Sequence, residues 1–269
     1  MTSTGFLHPG AMGASLAGIC AGERLWASEG RSTATRARAL EAEATDVGAL
    51  SAMADRADVI VAVCPPAEAI AVADAVASAG FGGIYVDANA ISPATSRAIG
   101  ERFEHFVDGG IIGPPVRGHG STRLYLAGDA ASKVARRWSG STLEVRVVDG
   151  PPGAASAVKM GFAAWTKGTA ALLLAIRALA EAEGVTPDLV GEWETSMPHL
   201  LEQASDSAPR VSQKAWRFAG EMEEIASTFA DAGLPDGFHQ ASAEVYRRLA
   251  GFKNADPGPT LDEVIKQLE

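Results

Sequence analysis

One segment near the start of the chain is Gly5-Phe6-Leu7-His8-Pro9-Gly10-Ala11-Met12-Gly13, where an apolar run turns directly into a helical pattern. A glycine at position 10 lets the backbone come close to a bound group, and Gly13 lets the helix pack closely on the strand. The helix N-terminus offers unpaired N–H groups and a partial positive charge, which suit phosphates. The segment therefore predicts a dinucleotide-binding turn, with His8 where the usual pattern has its first glycine. Its predicted cofactor contacts are Pro9, Gly10, Ala11, Met12 and Gly13.

The first 150 residues alternate short apolar runs of strand length with Ala-rich segments of helix length. The predicted strands are Thr4–His8, Arg24–Ser28, Asp58–Cys64, Gly83–Asp87, His105–Ile111, Thr122–Ala127 and Leu143–Val148. The predicted helices are Ala11–Ala21, Thr33–Glu43, Ala67–Ala79, Pro93–Phe103 and Asp129–Trp138. Alternation of this kind implies parallel strands joined by right-handed crossovers. We therefore expect an α/β fold, with a doubly wound Rossmann-type domain over residues 1–150.

The pattern changes after Asp149-Gly150-Pro151-Pro152, and residues 151–269 predict an all-α domain that serves the substrate and dimerisation. Its first predicted helix runs Gly153–Glu183. Within it, Ala170–Ile176 is apolar around the whole circumference, which requires burial on every side. Little chain follows to cover such a helix. We therefore expect a homodimer with a large, hydrophobic interface between these helices.

Composition limits the class of protein. The chain has 269 residues, 47% of them hydrophobic and 21% charged, which is typical of a globular protein and excludes disorder. A net charge of −10 argues against non-specific nucleic-acid binding, which depends on neutralising phosphates. A small anionic ligand held by a few arginines stays compatible with that charge.

The cysteines and the apolar runs indicate the cellular compartment in which the protein is expected. The two cysteines, Cys20 and Cys64, lack the spacing of a disulfide framework or a zinc site, which favours a reducing compartment. The longest apolar run, Thr169–Ala180, contains Arg177 and is shorter than the roughly 18–20 residues of a membrane span. No signal-peptide pattern is present at the start. We expect a cytoplasmic protein without membrane contact.

The end of the second predicted strand distinguishes between nicotinamide dinucleotides. Glu29 stands near the position of the acid that binds the ribose hydroxyls of NAD(H). Gly30, Arg31 and Ser32 follow directly, and a guanidinium with a hydroxyl at a helix start suits the 2′-phosphate of NADP(H). The pattern favours NADP(H) over NAD(H). The open alternative is an ordinary solvated helix face.

Further motifs follow the opening turn in chain order. They are Val63-Cys64-Pro65-Pro66, Asp87-Ala88-Asn89-Ala90-Ile91-Ser92-Pro93, Asp108-Gly109-Gly110-Ile111-Ile112-Gly113-Pro114-Pro115 and Gly153 through Lys159. Together they resemble the β-hydroxyacid dehydrogenase and 6-phosphogluconate dehydrogenase superfamily over nearly the whole chain. The second half resembles a subgroup with a phosphogluconate-dehydrogenase-like domain of unknown function, in Lys159-Met160, Ala164–Gly168 and Glu221–Ala226.

The resemblance implies an oxidoreductase that moves a hydride between a nicotinamide cofactor and a small substrate held in a cleft between the domains. Its cofactor loops correspond here to Cys64, Pro65, Pro66, Asn89 and Ala90. Its substrate-binding strand end corresponds to Ile112, Gly113 and Pro114. Its catalytic general acid or base corresponds to Lys159.

Lys159 also stands out without the resemblance. It is the sole cation in the first three turns of an otherwise small and apolar helix. Desolvation there would lower the pKa of its amine toward neutrality, which suits a general acid or base. The alternative is a lysine that extends to the surface along its apolar stem.

Two departures from the family pattern bear on the substrate. Ile112-Gly113-Pro114 replaces a Ser-Gly-Gly, and Phe162 and Ala163 stand where an asparagine follows the lysine. Because two polar anchors have become apolar, a carbonyl, hydroxyl or imine compound that is bulkier or less polar than a small hydroxyacid is favoured. We also see no basic cluster in the second domain for phosphogluconate.

Weaker candidates complete the predicted substrate site, which includes Phe162, Trp216 and His239. Packing is the alternative for Trp216, and a solvated loop is the alternative for His119. Lys167 is interpreted as structural or peripheral. No spacing of His, Cys, Asp or Glu suggests a metal. Two other functions stay open: a non-catalytic NADP-binding sensor, and a methyltransferase using S-adenosylmethionine, which fits the predicted cofactor loops poorly.

Overall fold

The computed structural model describes residues 2–269. They form two compact units, one ending at Met160 and the other running Gly161–Glu269. The first unit therefore includes the beginning of the long helix, beyond the boundary predicted at residue 150.

The first unit is an eight-stranded sheet with helices. Its strands are β1 (Ser3–Leu7), β2 (Glu23–Trp26), β3 (Thr45–Asp46), β4 (Val59–Ala62), β5 (Ile84–Asp87), β6 (Phe106–Ile112), β7 (Arg123–Ala127) and β8 (Glu144–Val147). Its helices are α1 (Ala11–Gly18), α2 (Thr33–Glu41), α3 (Leu50–Arg56), α4 (Ala69–Ser78), α5 (Pro93–Gly100) and α6 (Ala131–Ala135). Short 3₁₀ turns cover Pro66–Glu68 and Arg136–Trp138.

The strand order is β3-β2-β1-β4-β5-β6-β7-β8, and every neighbouring pair is parallel except β6 and β7. This order confirms the predicted doubly wound α/β fold. The order reverses between β1 and β4, so the loops after these strands border a crevice at the carboxyl edge of the sheet. In such sheets, that crevice is where ligands bind.

The pairing of β6 with β7 differs from the expectation of parallel strands throughout. The segment between them, residues 113–122, contains no helix. Without a crossover helix, the chain turns back and pairs antiparallel with the strand it has just left. The structure also adds β3 and α3, which the sequence did not predict. The two residues of β3 are exposed, so no apolar run marks them.

Two hydrophobic cores cover the two faces of the sheet. Phe6 and Val61 belong to one core, and Leu7 and Ile60 belong to the other, because neighbouring strand residues point to opposite faces. All four residues of β4 are buried, as expected for a strand covered by helices on both sides.

A long helix, α7 (Ala154–Ala182), runs from the first unit into the second. The second unit continues as α8 (Thr186–Ser196), α9 (His199–Ser212), α10 (Ala215–Asp231), α11 (Gly237–Arg248), a 3₁₀ turn (Leu249–Phe252) and α12 (Leu261–Leu268). This confirms the predicted all-α region. Thr260 and Glu263 form the capping box that opens α12, with both reciprocal bonds present.

Within one chain, helix α7 is covered on only part of its circumference, and the expected burial of Ala170–Ile176 on every side would need a second subunit. Ala171 and Leu174 are fully buried, whereas Leu172 is 42% exposed and Leu179 61% exposed. Helix α7 is long and apolar enough to cross a membrane. However, 44% of its most apolar 18-residue stretch is buried inside the structure. The core helix of a soluble protein has the same features.

Candidate functional site

The turn after β1 leaves an open cradle at the start of α1. The N-cap residue of α1 is Gly10, and no side chain caps the helix. A Cβ built at Gly10 would meet only the carbonyl oxygen of His8, at 3.8 Å. The space in front of the turn is therefore open to a ligand, and the uncapped N–H groups of the helix suit phosphate oxygens. This arrangement fits the pyrophosphate of a dinucleotide.

Beside this turn lies a cavity of about 360 Å³, formed at the ends of β1 and β2. Its apolar wall includes Leu50 and Val72, and its charged or polar side chains are His8, Glu29, Arg31 and Glu68. Its volume is within the range of small-molecule sites.

The cavity holds both groups that distinguish the nicotinamide dinucleotides. Glu29 is the carboxylate expected to bind NAD(H), and Arg31 is the cation expected to bind NADP(H). Both side chains line the cavity. Gly30 between them has a φ of 69°, a left-handed turn that favours glycine. Ser32 accepts a hydrogen bond from the N–H of Thr35 and so caps α2. The two arginines further along α2 contact the chain itself, since Arg38 donates to the carbonyl of Pro9 and Arg36 to that of Ser28.

Asn89 connects the loops after β4 and β5. Its side-chain oxygen accepts from the N–H of Cys64 at 2.6 Å, and its amide nitrogen donates to the carboxylate of Asp87 at 2.9 Å. Asn89 is buried, while Pro65 is exposed. Asn89 therefore holds the two predicted cofactor loops together by using both ends of its amide.

Burial sets the protonation of two groups in these loops. Burial, together with the nearby carboxylates of Asp87 and Glu68, raises the pKa of the Cys64 thiol to about 12, so Cys64 is a protonated thiol at neutral pH. Burial raises the pKa of Asp87 to about 7, although the N–H groups of Asn89 act in the opposite direction. Cys64 is therefore not an activated nucleophile, because a reactive cysteine needs a depressed pKa.

Asp108 on β6 anchors the start of α7. Its buried carboxylate accepts from the backbone N–H groups of Gly153 and Ser156, both at 2.9 Å. It also accepts from the hydroxyls of Ser156 at 2.6 Å and Ser96 at 2.8 Å. A negative charge at the N-terminus of a helix is favourable. This role of Asp108 is not visible in the sequence, because no local spacing connects a strand residue to a helix 45 positions later.

Lys159 lies directly against β6. A Cβ at Gly110 would come within 2.7 Å of the carbonyl oxygen of Ala155 and 3.0 Å of the Cβ of Lys159. On the other side of the strand, a Cβ at Gly109 would lie 2.9 Å from the carbonyl oxygen of Asp87. The two glycines therefore let α7 and the β5 loop approach β6 closely. Lys159 is partly buried there.

The predicted substrate residues after β6 have structural tasks of their own. Ile112 is buried in the sheet, with 3% of its surface exposed. Gly113 has a φ of 125°, and a Cβ there would collide with the carbonyl oxygen of Ser121. The carbonyl of Pro114 accepts from the hydroxyl of Thr122 at 2.6 Å. In this loop, Gly113 and Pro114 are exposed and Ile112 is not.

The predicted substrate residues of the helical region occupy different surroundings. Phe162 is 46% exposed on α7. Trp216 is 44% exposed, and the ammonium of Lys253 lies 3.9 Å from its ring centroid. His239 is buried against Phe229, with ring centroids 4.2 Å apart, and burial lowers its pKa.

Lys167, interpreted from the sequence as structural or peripheral, forms a nearly buried ion pair with Glu221, with a distance of 2.8 Å. Among residues 2–269, no cluster of three or more His, Cys, Asp or Glu side chains is arranged to hold a metal.

Comparisons with known proteins identify a domain and several solved structures to which this chain is similar. A family model described as a domain of unknown function, DUF1932, matches residues 180–249. No curated protein matches the chain by sequence. One solved structure similar to this chain is a conserved protein of unknown function that is itself structurally similar to 3-hydroxyacid dehydrogenases. The identity is 27%, the match covers 93% of this chain and 97% of that chain, and the TM-score is 0.69.

More distant structures share the fold. The 3-hydroxyisobutyrate dehydrogenase of Mycobacterium tuberculosis is 17% identical, with a TM-score of 0.69 over 100% of this chain and 99% of that chain. An imine reductase variant from Myxococcus stipitatus, in complex with NAD⁺, is 19% identical, with a TM-score of 0.54 over 100% and 99%. The chain is therefore similar in fold to the β-hydroxyacid dehydrogenase-like proteins, and residues 180–249 match a domain of unknown function.

Proposed function

We propose that this protein is an NAD(P)-dependent oxidoreductase acting on a carbonyl, hydroxyl or imine group of a small molecule. The observation that carries the proposal is the open cradle at Gly10, which adjoins a cavity of about 360 Å³ at the crevice of a doubly wound sheet. The dehydrogenase and the imine reductase that share the fold support the same reaction class.

The chain offers a place for each part of the cofactor. The first turn of α1 would hold the pyrophosphate, and the cavity with Arg31 would hold the adenosine end. The loops at Cys64-Pro65-Pro66 and Asn89-Ala90 would border the nicotinamide. When bound, the cofactor supplies or accepts the hydride, and the protein supplies orientation and electrostatics. Arg31 supports NADP(H) as the preferred form, because a guanidinium pairs well with a phosphate dianion.

Lys159 is the proposed general acid and base. Its place beside the Gly109-Gly110 segment of β6 and the anchoring of its helix by Asp108 support the assignment. In reduction, the Nζ of Lys159 donates a proton to the substrate oxygen or nitrogen; in oxidation it takes that proton back.

The substrate is proposed to be less polar than a small hydroxyacid. Gly113 and Pro114 are exposed after β6, and Phe162 presents an exposed ring on α7 less than one turn beyond Lys159. None of these side chains offers the hydrogen bonds that a substrate carboxylate would need.

Binding and turnover test the proposal separately. Fluorescence titration of the purified protein with NADPH, NADH and S-adenosylmethionine should show binding of a nicotinamide dinucleotide alone. A panel of carbonyl and imine compounds, followed through the absorbance change as NADPH is oxidised, should then identify turnover. Tight NADPH binding without turnover on any compound would instead indicate a sensor. Binding of S-adenosylmethionine would overturn the oxidoreductase assignment.

A further inference from the structure

The backbone at His8 adopts a conformation that glycine would adopt without strain. Its φ is 55°, in the left-handed region that residues with a Cβ rarely adopt. Such backbone strain costs of order 1–3 kcal/mol and persists only where the surrounding structure holds the residue in place. A glycine would have avoided this strain, so the retained side chain calls for a role.

The imidazole of His8 lines the same cavity as Arg31, in which the other ionisable side chains are Glu29 and Glu68. Burial and the neighbouring charge of Arg31 lower the pKa of His8 to about 4. At neutral pH the imidazole is therefore uncharged, and it stands close enough to Arg31 to respond to its charge.

We propose that His8 is a specificity-determining residue for the cofactor and that, together with Arg31, it recognises the 2′-phosphate of NADP(H) at the adenosine end of the cavity. This inference rests on the proposed function, since it assumes that the cavity receives the adenosine. Neither the phosphate-binding turn nor the proposed role of Lys159 depends on it.

A phosphate dianion in the cavity would add a negative charge near the imidazole of His8, where Arg31 now supplies a positive one. It would offset the charge of Arg31 and raise the pKa of the imidazole, so that NADPH binding is accompanied by proton uptake. The contribution of His8 to NADPH affinity is then greatest at low pH and is lost as the pH rises through the pKa of His8 in the complex. NADH lacks the phosphate, so its affinity should not depend on His8 in this way.

The test uses two variants that keep the left-handed turn. His8→Gly removes the side chain and relieves the strained φ, so the protein should fold at least as well as wild type. His8→Asn keeps a polar side chain and tolerates the left-handed conformation, but it cannot take up a proton. His105→Asn serves as the matched control, because His105 is exposed and lies outside the cavity.

Dissociation constants for NADPH and NADH are measured by fluorescence at pH 6 and pH 8. We expect His8→Gly to weaken NADPH binding about tenfold at pH 6, as for loss of one charge-assisted contact, and less at pH 8. NADH binding should change less than about twofold at either pH. His8→Asn should lose the pH-dependent part of the effect, and His105→Asn should behave like wild type.

An equal change for both cofactors in His8→Gly, or a change in NADPH affinity that is the same at both pH values, would overturn the role of His8. Failure of the wild-type protein to bind either cofactor would instead overturn the proposed function, so the two outcomes are distinguishable.

Discussion

The carboxylate of Glu29 and the guanidinium of Arg31 line the same cavity at the end of β2. Glu29 suits the free ribose hydroxyls of NADH, and Arg31 suits the phosphate of NADPH. Burial lowers the pKa of the Arg31 guanidinium, which is nevertheless charged at any working pH. Whether Glu29 or Arg31 contributes more to cofactor affinity therefore depends on whether the ribose of the cofactor carries a phosphate.

Replacing Arg31 by alanine tests that balance. Loss of one charge-assisted contact costs about 1.5–3 kcal/mol, so NADPH affinity should fall roughly ten- to a hundredfold. NADH affinity should stay nearly unchanged, because its ribose carries no phosphate at that position. Fluorescence titration measures both constants. Arg24→Ala, which changes an arginine outside the cavity, is the control, and an equal loss for both cofactors in Arg31→Ala would contradict the assignment.

Lys159→Met tests the proposed proton transfer, since methionine keeps much of the stem and removes the amine. Cofactor binding should survive, because the turn at Gly10 lies elsewhere in the chain. Turnover should fall by about 10²–10⁴, and the pH–rate profile should lose one limb. Steady-state kinetics with an accepted substrate checks both.

A matched variant sharpens this prediction. Lys159→Arg should not restore turnover, because a guanidinium does not deprotonate at working pH. If Lys159→Met keeps more than about a tenth of the wild-type kcat when chemistry limits the rate, its amine is not the general acid or base.

At the level of elements, the start of α7 depends on one carboxylate from β6. Asp108 satisfies two backbone N–H groups of the first turn and two hydroxyls. In doing so it fixes the helix that carries Lys159 relative to the strand. Asp108 is thus a positioning residue, and it acts through the helix it caps.

Asp108→Asn should weaken both the fold and the placement of Lys159. The amide offers one acceptor oxygen in place of two and turns a donor toward other donors, which costs about 1–3 kcal/mol in a buried site. Urea denaturation measures this loss, and Asp129→Asn, at an exposed aspartate of the same unit, should cost less than about 0.5 kcal/mol. A wild-type unfolding free energy in Asp108→Asn would contradict the capping role.

At the scale of the whole molecule, α7 presents an apolar stripe that a single chain leaves exposed. Val158, Trp165, Leu172 and Leu179 recur at helical spacing, and Trp165 is 72% exposed. Large exposed apolar patches usually mark interaction surfaces. A second copy of the chain is the occupant that the sequence already favours, through its long apolar helix.

Light scattering at micromolar concentration should therefore return a dimer. Leu172→Glu combined with Leu179→Glu should shift it to a monomer, because two charges would be buried in the interface. Leu40→Glu is the matched control: Leu40 is 78% exposed on α2, away from the stripe. A monomeric wild-type protein would refute the dimer, and dissociation by Leu40→Glu would refute the assignment of the stripe.

Local pattern was sufficient for most elements of the fold. The apolar run at Val59–Ala62 and the glycine turn at Gly10 depend on neighbours in sequence, so their structure is visible there. The capping box at Thr260 and Glu263 is equally local, with its partners three residues apart. The same holds for the resemblance that pointed to the superfamily, since each of its motifs is a short contiguous segment.

Tertiary structure decided the contacts between segments that lie far apart in the chain. The bond from Cys64 to Asn89 spans 25 positions, and the cap of α7 by Asp108 spans 45. The antiparallel pairing of β6 with β7 depends on the missing crossover helix, and the exposure of Leu179 depends on which helices pack against α7. Such features follow from which surfaces meet once the chain has collapsed, because burial and hydrogen-bond satisfaction are properties of the packed whole.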